Sequence, residues 1–396
     1  MTIQKPAKSN KPFHIDLWLT VLLIIMAIIS LMAIYGSIPI TPSWIDGQSI
    51  LIKQALWYIL GFSLLAFLLY FGIDRLFTGV KVFYWILLVM LVILILDFYV
   101  NIPFVTPING SRAWFILPGI GTIQPSEFMK IVLILLSANI IHEHNEFKTK
   151  MSFKDDLHLF YKIAKVVTVP LILIIMQPDT GIPLVIIVSI LAMLAISQIK
   201  PFWILFGVVT LFILVGGTLY LFEYHPNVLS QLFGAPYRLN RFYGWLHTER
   251  YSLTWGNQLY TSLLAVGSAG LTGHGAQATM IMFAEPQNDF IFAVIAKNYG
   301  FIGVSLVIIV SLIFNLKLLS IALKFDRPKE QYMVAGLLGM LFFQQFQNMG
   351  MIIGILPITG ITLPLISAGG SSLLSYMIPL AIIYHMSSEN HNRTLH

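Results

Sequence analysis

The sequence predicts an all-α polytopic membrane protein with about ten transmembrane helices and a long extracytoplasmic loop before the eighth. Three observations support this fold class. First, 57% of the 396 residues are hydrophobic and only 10% are charged, whereas soluble domains carry about 25% charged residues. Second, the apolar residues form runs of about 20, the length that crosses a bilayer as a helix. Third, the basic residues lie between these runs and do not cluster on a soluble module.

Ten segments are candidate spans. The first span follows a short basic tail. This span is longer than the apolar core of a signal peptide and ends without an A-x-A cleavage site. The polar break QPDT separates the fifth span from the sixth, although the two could also form one bent unit. The eighth contains the interruption KNYG near its start. In chain order the spans are 16–36, 52–73, 80–100, 124–142, 163–177, 180–198, 202–222, 289–322, 331–353 and 364–387.

The distribution of Lys and Arg predicts the orientation. Short cytoplasmic loops hold the excess of basic residues, and five lysines lie in the loop after the fourth span alone. Ten spans place residues 1–15 and 388–396 in the cytoplasm as tails of one transmembrane domain, 16–387, whose longest outer loop is 223–288. An odd count would spoil this agreement. The outer loops then hold few basic residues: Lys53, Arg112, Arg238, Arg241 and Arg250.

Composition excludes several classes of function. The absence of cysteine excludes a disulfide framework, a thiol nucleophile and a Cys-ligated metal. The ten His residues show no H-E-x-x-H spacing, which argues against a zinc site. The net charge of +6 is spread between the spans, so we expect no nucleic-acid partner.

Ionisable residues in or beside the spans are the main candidates for a functional site, because such residues usually face a cavity or a partner. Glu127 and Lys130 are three residues apart on one helical face, where they can pair. Asp179 and Asp289 stand at helix starts, where each could simply cap its helix. Trp114 lies in an outer loop, where it could belong to the interfacial aromatic belt. At the start of the last span, SAGGSS is most simply a packing surface of small residues.

Several stretches occur together in one order. They are NGSRAWF, QPSEFMK, QPDTG, GSAGLTGHG, EPQNDFIFAVIA and LPITGITLPLISAGGSSLLSY. This ordered set closely resembles the SEDS family of bacterial cell-wall proteins (shape, elongation, division and sporulation) over nearly the whole chain. The short N-terminal tail, NMGMIIGILPITGI and AVIAKNYGFIG look more like the elongation-type (RodA-like) branch.

The resemblance implies a function. It implies a peptidoglycan glycosyltransferase that polymerises lipid II into β-1,4 glycan strands at the outer face of the bacterial cytoplasmic membrane, in cell-wall elongation and maintenance of cell shape. The substrate would be undecaprenyl-pyrophosphate-linked disaccharide-peptide, and membrane lipid would surround the chain. The family also implies a class B penicillin-binding protein as partner, because SEDS polymerases work with such a transpeptidase.

The resemblance also implies roles for particular residues. The family's essential Asp falls on Asp289, and its important outer-loop Trp falls on Trp114. Its polar cavity residues fall on Glu127, Lys130, Asp179 and Gln258. This chain departs from the family at neighbouring positions, which are Gln287, Asn288, Lys297, Asn298, Ala368, Thr261 and His274.

The implied reaction needs a base and cations. A sugar hydroxyl is a poor nucleophile, so a carboxylate must take its proton, and we expect Asp289 to do so. Inversion at the anomeric carbon needs one such base. The departing pyrophosphate needs cations, for which the candidates are Arg112, Lys130, Arg238, Arg241 and Arg250. The sequence requires no cofactor; a divalent cation, Mg²⁺ or Mn²⁺, on Glu285 or Asp289 is an alternative that no ligand cluster indicates.

Two other functions stay open from sequence. A lipid II flippase would also carry polar residues inside its spans, as Glu127, Lys130 and Asp179 do. A non-catalytic scaffold of a wall-synthesis complex would have no need for Asp289. The concentration of Trp114, Arg241, Glu285 and Asp289 on the outer side favours the polymerase.

Overall fold

The computed structural model describes residues 13–42, 44–105, 107–108, 110–117, 121–148, 152–233 and 236–394. Over these residues the chain forms 13 α-helices and one antiparallel hairpin, whose strands are β1 (Phe115–Leu117) and β2 (Gly121–Ile123). The helices are α1 (Leu17–Ser37), α2 (Gly47–Phe71), α3 (Asp74–Val100), α4 (Pro125–Glu146), α5 (Phe153–Met176), α6 (Gly181–Ala195), α7 (Pro201–Tyr224), α8 (Pro226–Phe233), α9 (Pro236–Leu246), α10 (Asn257–Ser268), α11 (Ile291–Leu323), α12 (Pro328–Ile352) and α13 (Gly370–Thr394).

The membrane fold class is confirmed. In the described part of the chain, seven helices are long and apolar enough to span a bilayer: α1 to α5, α7 and α11. The remaining expected spans coincide with α6, α12 and α13. Helix α6 has only 15 residues, and α12 and α13 carry charged and amide side chains along their 25 residues each. The number ten therefore stays a prediction.

Local sequence explains where the helices begin. Asp16 caps α1 by accepting a hydrogen bond from the Leu19 amide at 3.0 Å, and Asp46 caps α2 in the same way. Proline occupies the first turn of α4, α7 and α12, where its missing N–H costs no helical hydrogen bond. Between α5 and α6 the QPDT segment separates two distinct helices and does not bend one continuous unit.

Helix α4 lies at the centre of the bundle and α7 at its edge. Helix α4 packs against α3, α5, α6, α12 and α13, whereas Phe222 is the buried residue of α7 among those described. Helix α12 approaches α6 closely because Gly339 carries no side chain: a Cβ there would come within 2.5 Å of the Ala192 Cβ. Small residues at such crossings are typical of membrane helices.

Helix α11 is broken at Gly300, within the expected KNYG interruption. Gly300 has φ of 60°, and a Cβ there would lie 2.5 Å from the Gly273 amide nitrogen. The gap in the helix is filled by the segment 270–275, which forms four backbone hydrogen bonds to residues 297–302, including His274 N–H to the Lys297 carbonyl at 2.8 Å. The long loop 223–288, expected at the outer face, is accordingly folded, and α8, α9 and α10 lie within it.

Candidate active site

A cavity of about 650 Å³ lies at one end of the bundle. Helices α2, α4, α6 and α13 all begin at its walls, and α11 begins two residues after Asp289, which also lines it. Helix N-termini carry partial positive charge, although the first amides of α2 and α6 are already capped by the carboxylates of Asp46 and Asp179. The titratable side chains that line the cavity are Lys53, Glu127, Asp179, Arg241, Glu285 and Asp289.

Asp289 is half-buried in the cavity wall. Burial raises the pKa of its carboxyl to about 7; the Glu285 carboxylate acts in the same direction and Arg241 opposes it. Among the described residues, no cation lies within 4.0 Å of the carboxylate. The nearby Gly360 leaves space on one side, because even an added Cβ would stay 3.8 Å from Asp289 Oδ2. A carboxyl group in this setting can accept a proton near neutral pH.

The backbone around Asp289 is held from two sides. The fully buried Asn348 of α12 donates through Nδ2 to the carbonyl of Asp289 at 2.8 Å and to that of Ile361 at 2.7 Å. Ser367 Oγ donates to the Asn288 carbonyl at 2.6 Å. Asn348 was missed in the sequence; the available signal was a cluster of amide residues, Gln344, Gln345, Gln347 and Asn348, within an otherwise apolar helix.

Glu285 organises the same loop. Its Oε2 accepts hydrogen bonds from Gln287 Nε2 at 3.0 Å and from Asn288 Nδ2 at 2.8 Å. These two amides are the residues that depart from the family pattern. Glu285 also has φ of 53°, a backbone conformation that residues other than glycine rarely adopt. The carboxylate and its two amide donors thus form a compact turn that leads into Asp289.

Glu127 and Lys130 form the buried floor beside the cavity. Lys130 Nζ lies 2.5 Å from Glu127 Oε2 and donates to the Tyr376 hydroxyl at 3.2 Å. Tyr376 in turn donates to Gln344 Oε1 at 3.1 Å. Glu127 lines the cavity, whereas Lys130 is fully buried behind it. Glu127 and Lys130 neutralise each other's charge, as the three-residue spacing on one helical face allows.

Asp179 caps α6 and faces the cavity. Its Oδ1 accepts from the amides of Gly181 and Ile182 at 3.1 and 3.2 Å, and its Oδ2 accepts from Gln124 Nε2 at 3.1 Å. Burial raises the pKa of Asp179 to about 6, while the amide hydrogen bonds act in the opposite direction. With both oxygens engaged, Asp179 is less available than Asp289 as a base.

The structure does not bring every candidate to the cavity. Arg112 Nη1 binds Asp97 Oδ2 at 2.8 Å and the Asp97 carbonyl at 2.6 Å, so its guanidinium is committed to the end of α3. Gln258 is exposed on α10 and is not part of the cavity lining. The side chain of Arg238 lies outside the described residues. Trp114 and Arg241 do line the cavity. A binding role for Arg112 or Gln258 finds no support in this geometry.

Two features of the wall were missed in the sequence. Lys53 of α2, an outer basic residue with no motif around it, lines the cavity together with Gln54 and Trp57. The SAGGSS segment, expected only to pack, also contributes to the lining. Periodicity could not reveal either, because it does not say which helix starts are neighbours in space.

A divalent cation fits the site poorly. Within the described residues no group of three or more His, Cys, Asp and Glu side chains is spaced to hold a metal. Two amide donors already engage one Glu285 oxygen. Mg²⁺ can bind through one or two carboxylates when substrate phosphates complete its shell, so a cation here would depend on substrate oxygens.

The family model of FtsW, RodA and SpoVE, described as cell cycle proteins, matches residues 16–392. The chain belongs to this family, the SEDS family. Stage V sporulation protein E of Bacillus subtilis (strain 168) is 29% identical to this SEDS chain over 386 residues, which are 96% of this chain and 98% of the relative. Peptidoglycan glycosyltransferase MrdB of Escherichia coli (strain K12) is 32% identical over 295 residues, 72% and 73% of the two chains.

The fold of this SEDS chain also resembles a solved structure. A chain from "Structural coordination of polymerization and crosslinking by a peptidoglycan synthase complex" superposes with a TM-score of 0.75 at 26% identity, over 95% of this chain and 98% of that one. The family model spans cell-cycle, rod-shape and sporulation members together. The elongation-type branch of the SEDS family therefore stays a prediction for this chain.

Proposed function

We propose that the chain is a peptidoglycan glycosyltransferase that polymerises lipid II into β-1,4 glycan strands at the outer face of the cytoplasmic membrane. The observation that carries the proposal is a half-buried carboxyl, Asp289, with a pKa raised to about 7, in a polar cavity where helix N-termini converge. The names of relatives such as peptidoglycan glycosyltransferase MrdB support the glycosyltransferase class.

In the proposed reaction Asp289 is the general base. Its carboxylate takes the proton of the acceptor sugar hydroxyl while that oxygen bonds to the anomeric carbon of the donor. The bond from the anomeric carbon to the pyrophosphate oxygen breaks, and the electron pair leaves with the pyrophosphate. Configuration inverts in this single displacement, as it does in inverting glycosidases. A base works best when its pKa lies near the working pH, which matches a value of about 7.

The leaving group demands positive charge. Arg241 is exposed and lines the cavity. Its positive charge acts on Asp289 and lowers the pKa of that carboxyl. The helix N-termini at the cavity walls add partial positive charge. Trp114 on the cavity wall offers an aromatic face for a sugar ring.

The interior of α4 favours a polymerase over a flippase. A flippase needs a polar path across the bilayer. Beyond the Glu127–Lys130 pair, α4 continues with buried aliphatic residues from Ile131 to Leu136. The polar side chains of the cavity are thus gathered at one end of the bundle.

The proposal includes orientation and partner. The cavity lies where α2, α4, α6 and α13 begin, and the charge pattern of the loops assigns this end to the outer face, with both termini in the cytoplasm. A class B penicillin-binding protein would crosslink the strands, since this chain carries no transpeptidase motif. The solved complex that it resembles combines polymerization and crosslinking in its description. We propose a role in cell-wall elongation.

A gel assay with labelled lipid II tests the function. The wild-type protein, alone and with its transpeptidase partner, is expected to form glycan strands. We expect Asp289→Asn to lower polymer yield by roughly 100-fold or more while the protein still elutes as a folded species. The matched control is Glu249→Gln, which neutralises an exposed carboxylate of the same outer loop away from the cavity lining. Equal yields from both variants would remove Asp289 as the base.

A further inference from the structure

Lys53 is a cation of the cavity wall that the mechanism above leaves unused. It is exposed on α2 and lines the same cavity as Asp289. Within the described residues its ammonium takes part in no hydrogen bond, ion pair or ring contact. A lysine in solvent needs no partner, but a lysine without one in a polar cavity is available to a ligand.

The other cations near this cavity are engaged. Lys130 is fully buried against Glu127, and Arg112 is bound to Asp97. Arg241 donates to the Ile358 carbonyl at 3.4 Å, a long hydrogen bond. Among the described residues, Lys53 is therefore the cation of the cavity lining that makes no hydrogen bond, ion pair or ring contact with the protein. It faces a cavity that is lined by four carboxyl groups.

The backbone of residues 368 and 369 is hydrogen-bonded to neighbours in sequence of both Lys53 and the proposed base. The residue after Lys53, Gln54, accepts a hydrogen bond from the Gly369 amide at 3.2 Å. The adjacent Ala368 amide donates to the Gln287 carbonyl at 2.9 Å, two residues before Asp289. The segments that carry Lys53 and Asp289 are thus both hydrogen-bonded to residues 368 and 369, and both residues line the same cavity.

The surroundings of Lys53 suit an anionic group. One turn along α2, the Trp57 indole lies against Gly370, where any Cβ would come within 2.2 Å of the ring. Lys53 lines the same cavity as Gly370 and Ser371 in the first turn of α13, and the first N–H groups of a helix have no acceptor within it. These N–H donors would add to the attraction of an anion, but the proposal rests on the charge of Lys53.

We propose that Lys53 binds the pyrophosphate of a polyprenyl-pyrophosphate-linked sugar donor and stabilises the leaving group as its bond to the anomeric carbon breaks. This inference rests on the proposed function. Lys53 transfers no proton: the proton of the acceptor hydroxyl goes to Asp289, and the electron pair of the broken bond stays on the pyrophosphate oxygen. The ammonium offsets one of the charges that develop there.

Binding of undecaprenyl pyrophosphate to the purified full-length protein in detergent tests the proposal directly. We expect Lys53→Met to raise the dissociation constant roughly tenfold or more, because a charge-assisted hydrogen bond is lost. Lys53→Arg keeps the charge and is expected to stay within about threefold of wild type. The control Arg250→Met removes an exposed outer charge outside the cavity lining and leaves binding unchanged. Equal affinity of wild type and Lys53→Met overturns the proposal.

Two further ligands separate headgroup recognition from other effects. Undecaprenol has the same tail without phosphate, and we expect wild type and Lys53→Met to bind it equally; a matching loss would mean that the substitution damages a lipid groove. Phosphatidylglycerol supplies an anionic headgroup of another kind. If it competes with undecaprenyl pyrophosphate at equal concentration through Lys53, the site recognises membrane phospholipid and the assignment to the donor is overturned.

Kinetics distinguish failure of this inference from failure of the proposed function. Wild type that makes no glycan strands from lipid II refutes the function, whatever the binding data show. Wild type that polymerises, with Lys53→Met unchanged in KM and kcat, refutes only the role of Lys53. Asp289→Asn is expected to bind undecaprenyl pyrophosphate within about threefold of wild type while it forms no polymer, which separates the binding step from proton transfer.

Discussion

At the scale of single residues, the protonation of Asp289 determines the pH range in which the site can work. Burial raises the pKa of this carboxyl to about 7, so near neutral pH it is only partly ionised. The active form of a general base is the carboxylate. We expect the polymerisation rate to rise with pH through a midpoint near 7, measured as kcat/KM for lipid II between pH 5.5 and 8.5. A flat profile over this interval would contradict the assignment.

The same group links folding stability to pH. The pKa of Asp289 is raised in the folded state above 3.8, the value of an unperturbed Asp, so the folded protein binds the proton more tightly. Its contribution to stability is full below about 3.8 and is lost as pH rises toward 7. We expect Asp289→Asn to raise the melting temperature relative to wild type at pH 8, with the difference shrinking at pH 5. A lower melting temperature for the variant at pH 8 would contradict this sign.

Trp114 separates substrate contact from membrane anchoring. It is half-buried on the cavity wall, where an aromatic ring can stack on a sugar. We expect Trp114→Ala to lower kcat/KM roughly threefold to tenfold, with Arg250→Ala as an outer-loop control. Lys53, an outer basic residue, is unsuitable for this comparison because it lines the same cavity. Equal activities of the two variants would return Trp114 to the interfacial belt.

At the scale of elements, α12 holds the loop that carries the proposed base. Asn348 bonds two carbonyls at once, those of Asp289 and Ile361. We expect Asn348→Ala to destabilise the protein by about 1–3 kcal/mol and to reduce kcat more than that loss explains, because Asp289 is no longer held in place. Asn315→Ala is the matched control, since it removes an amide hydrogen bond to Gln345 of 2.6 Å between α11 and α12. Parallel losses of stability and activity in both variants would show that Asn348 only stabilises the fold.

The break in α11 has a simple backbone test. Gly300→Ala places a Cβ at φ of 60° and within 2.6 Å of the Leu271 carbonyl. We expect a clear drop in melting temperature, from strain of about 1–3 kcal/mol and the steric overlap. Gly207→Ala on the lipid-facing α7 meets open space and is expected to be neutral or slightly stabilising. Similar melting temperatures for the two variants would contradict the requirement for glycine at position 300.

The elements were easier to predict than the site. Apolar runs of about 20 residues predicted the long helices, because run length is a local property of the sequence, and the QPDT break separates α5 from α6. The wall of the cavity depends on which distant segments meet. Lys53 and Gly369 are more than 300 residues apart in sequence, and no periodic pattern relates them. The ion pair of Arg112 is local by comparison, because its partner Asp97 lies at the end of the preceding apolar run.

At the scale of the whole molecule, several helices begin at the same end, and that end holds the titratable cavity. The expected topology makes it the outer face. The chain has no cysteine, so single cysteines can report orientation. In spheroplasts we expect a membrane-impermeant maleimide to label Thr254→Cys in the outer loop, and to label Lys154→Cys only after permeabilisation; both positions are exposed. The opposite labelling pattern would place the cavity at the cytoplasmic face and exclude a reaction at the outer one.

The divided α11 also bears on how the protein tolerates bilayers of different thickness. The segment 270–275 forms backbone hydrogen bonds on both sides of the break, to residues 297 and 298 before Gly300 and to residues 301 and 302 after it. Membrane helices respond to a thinner or thicker bilayer by tilting. Because the segment 270–275 is bonded to both sides of Gly300, the two parts of α11 are held at a fixed angle, and we expect the helix and this segment to tilt as one body when lipid composition changes.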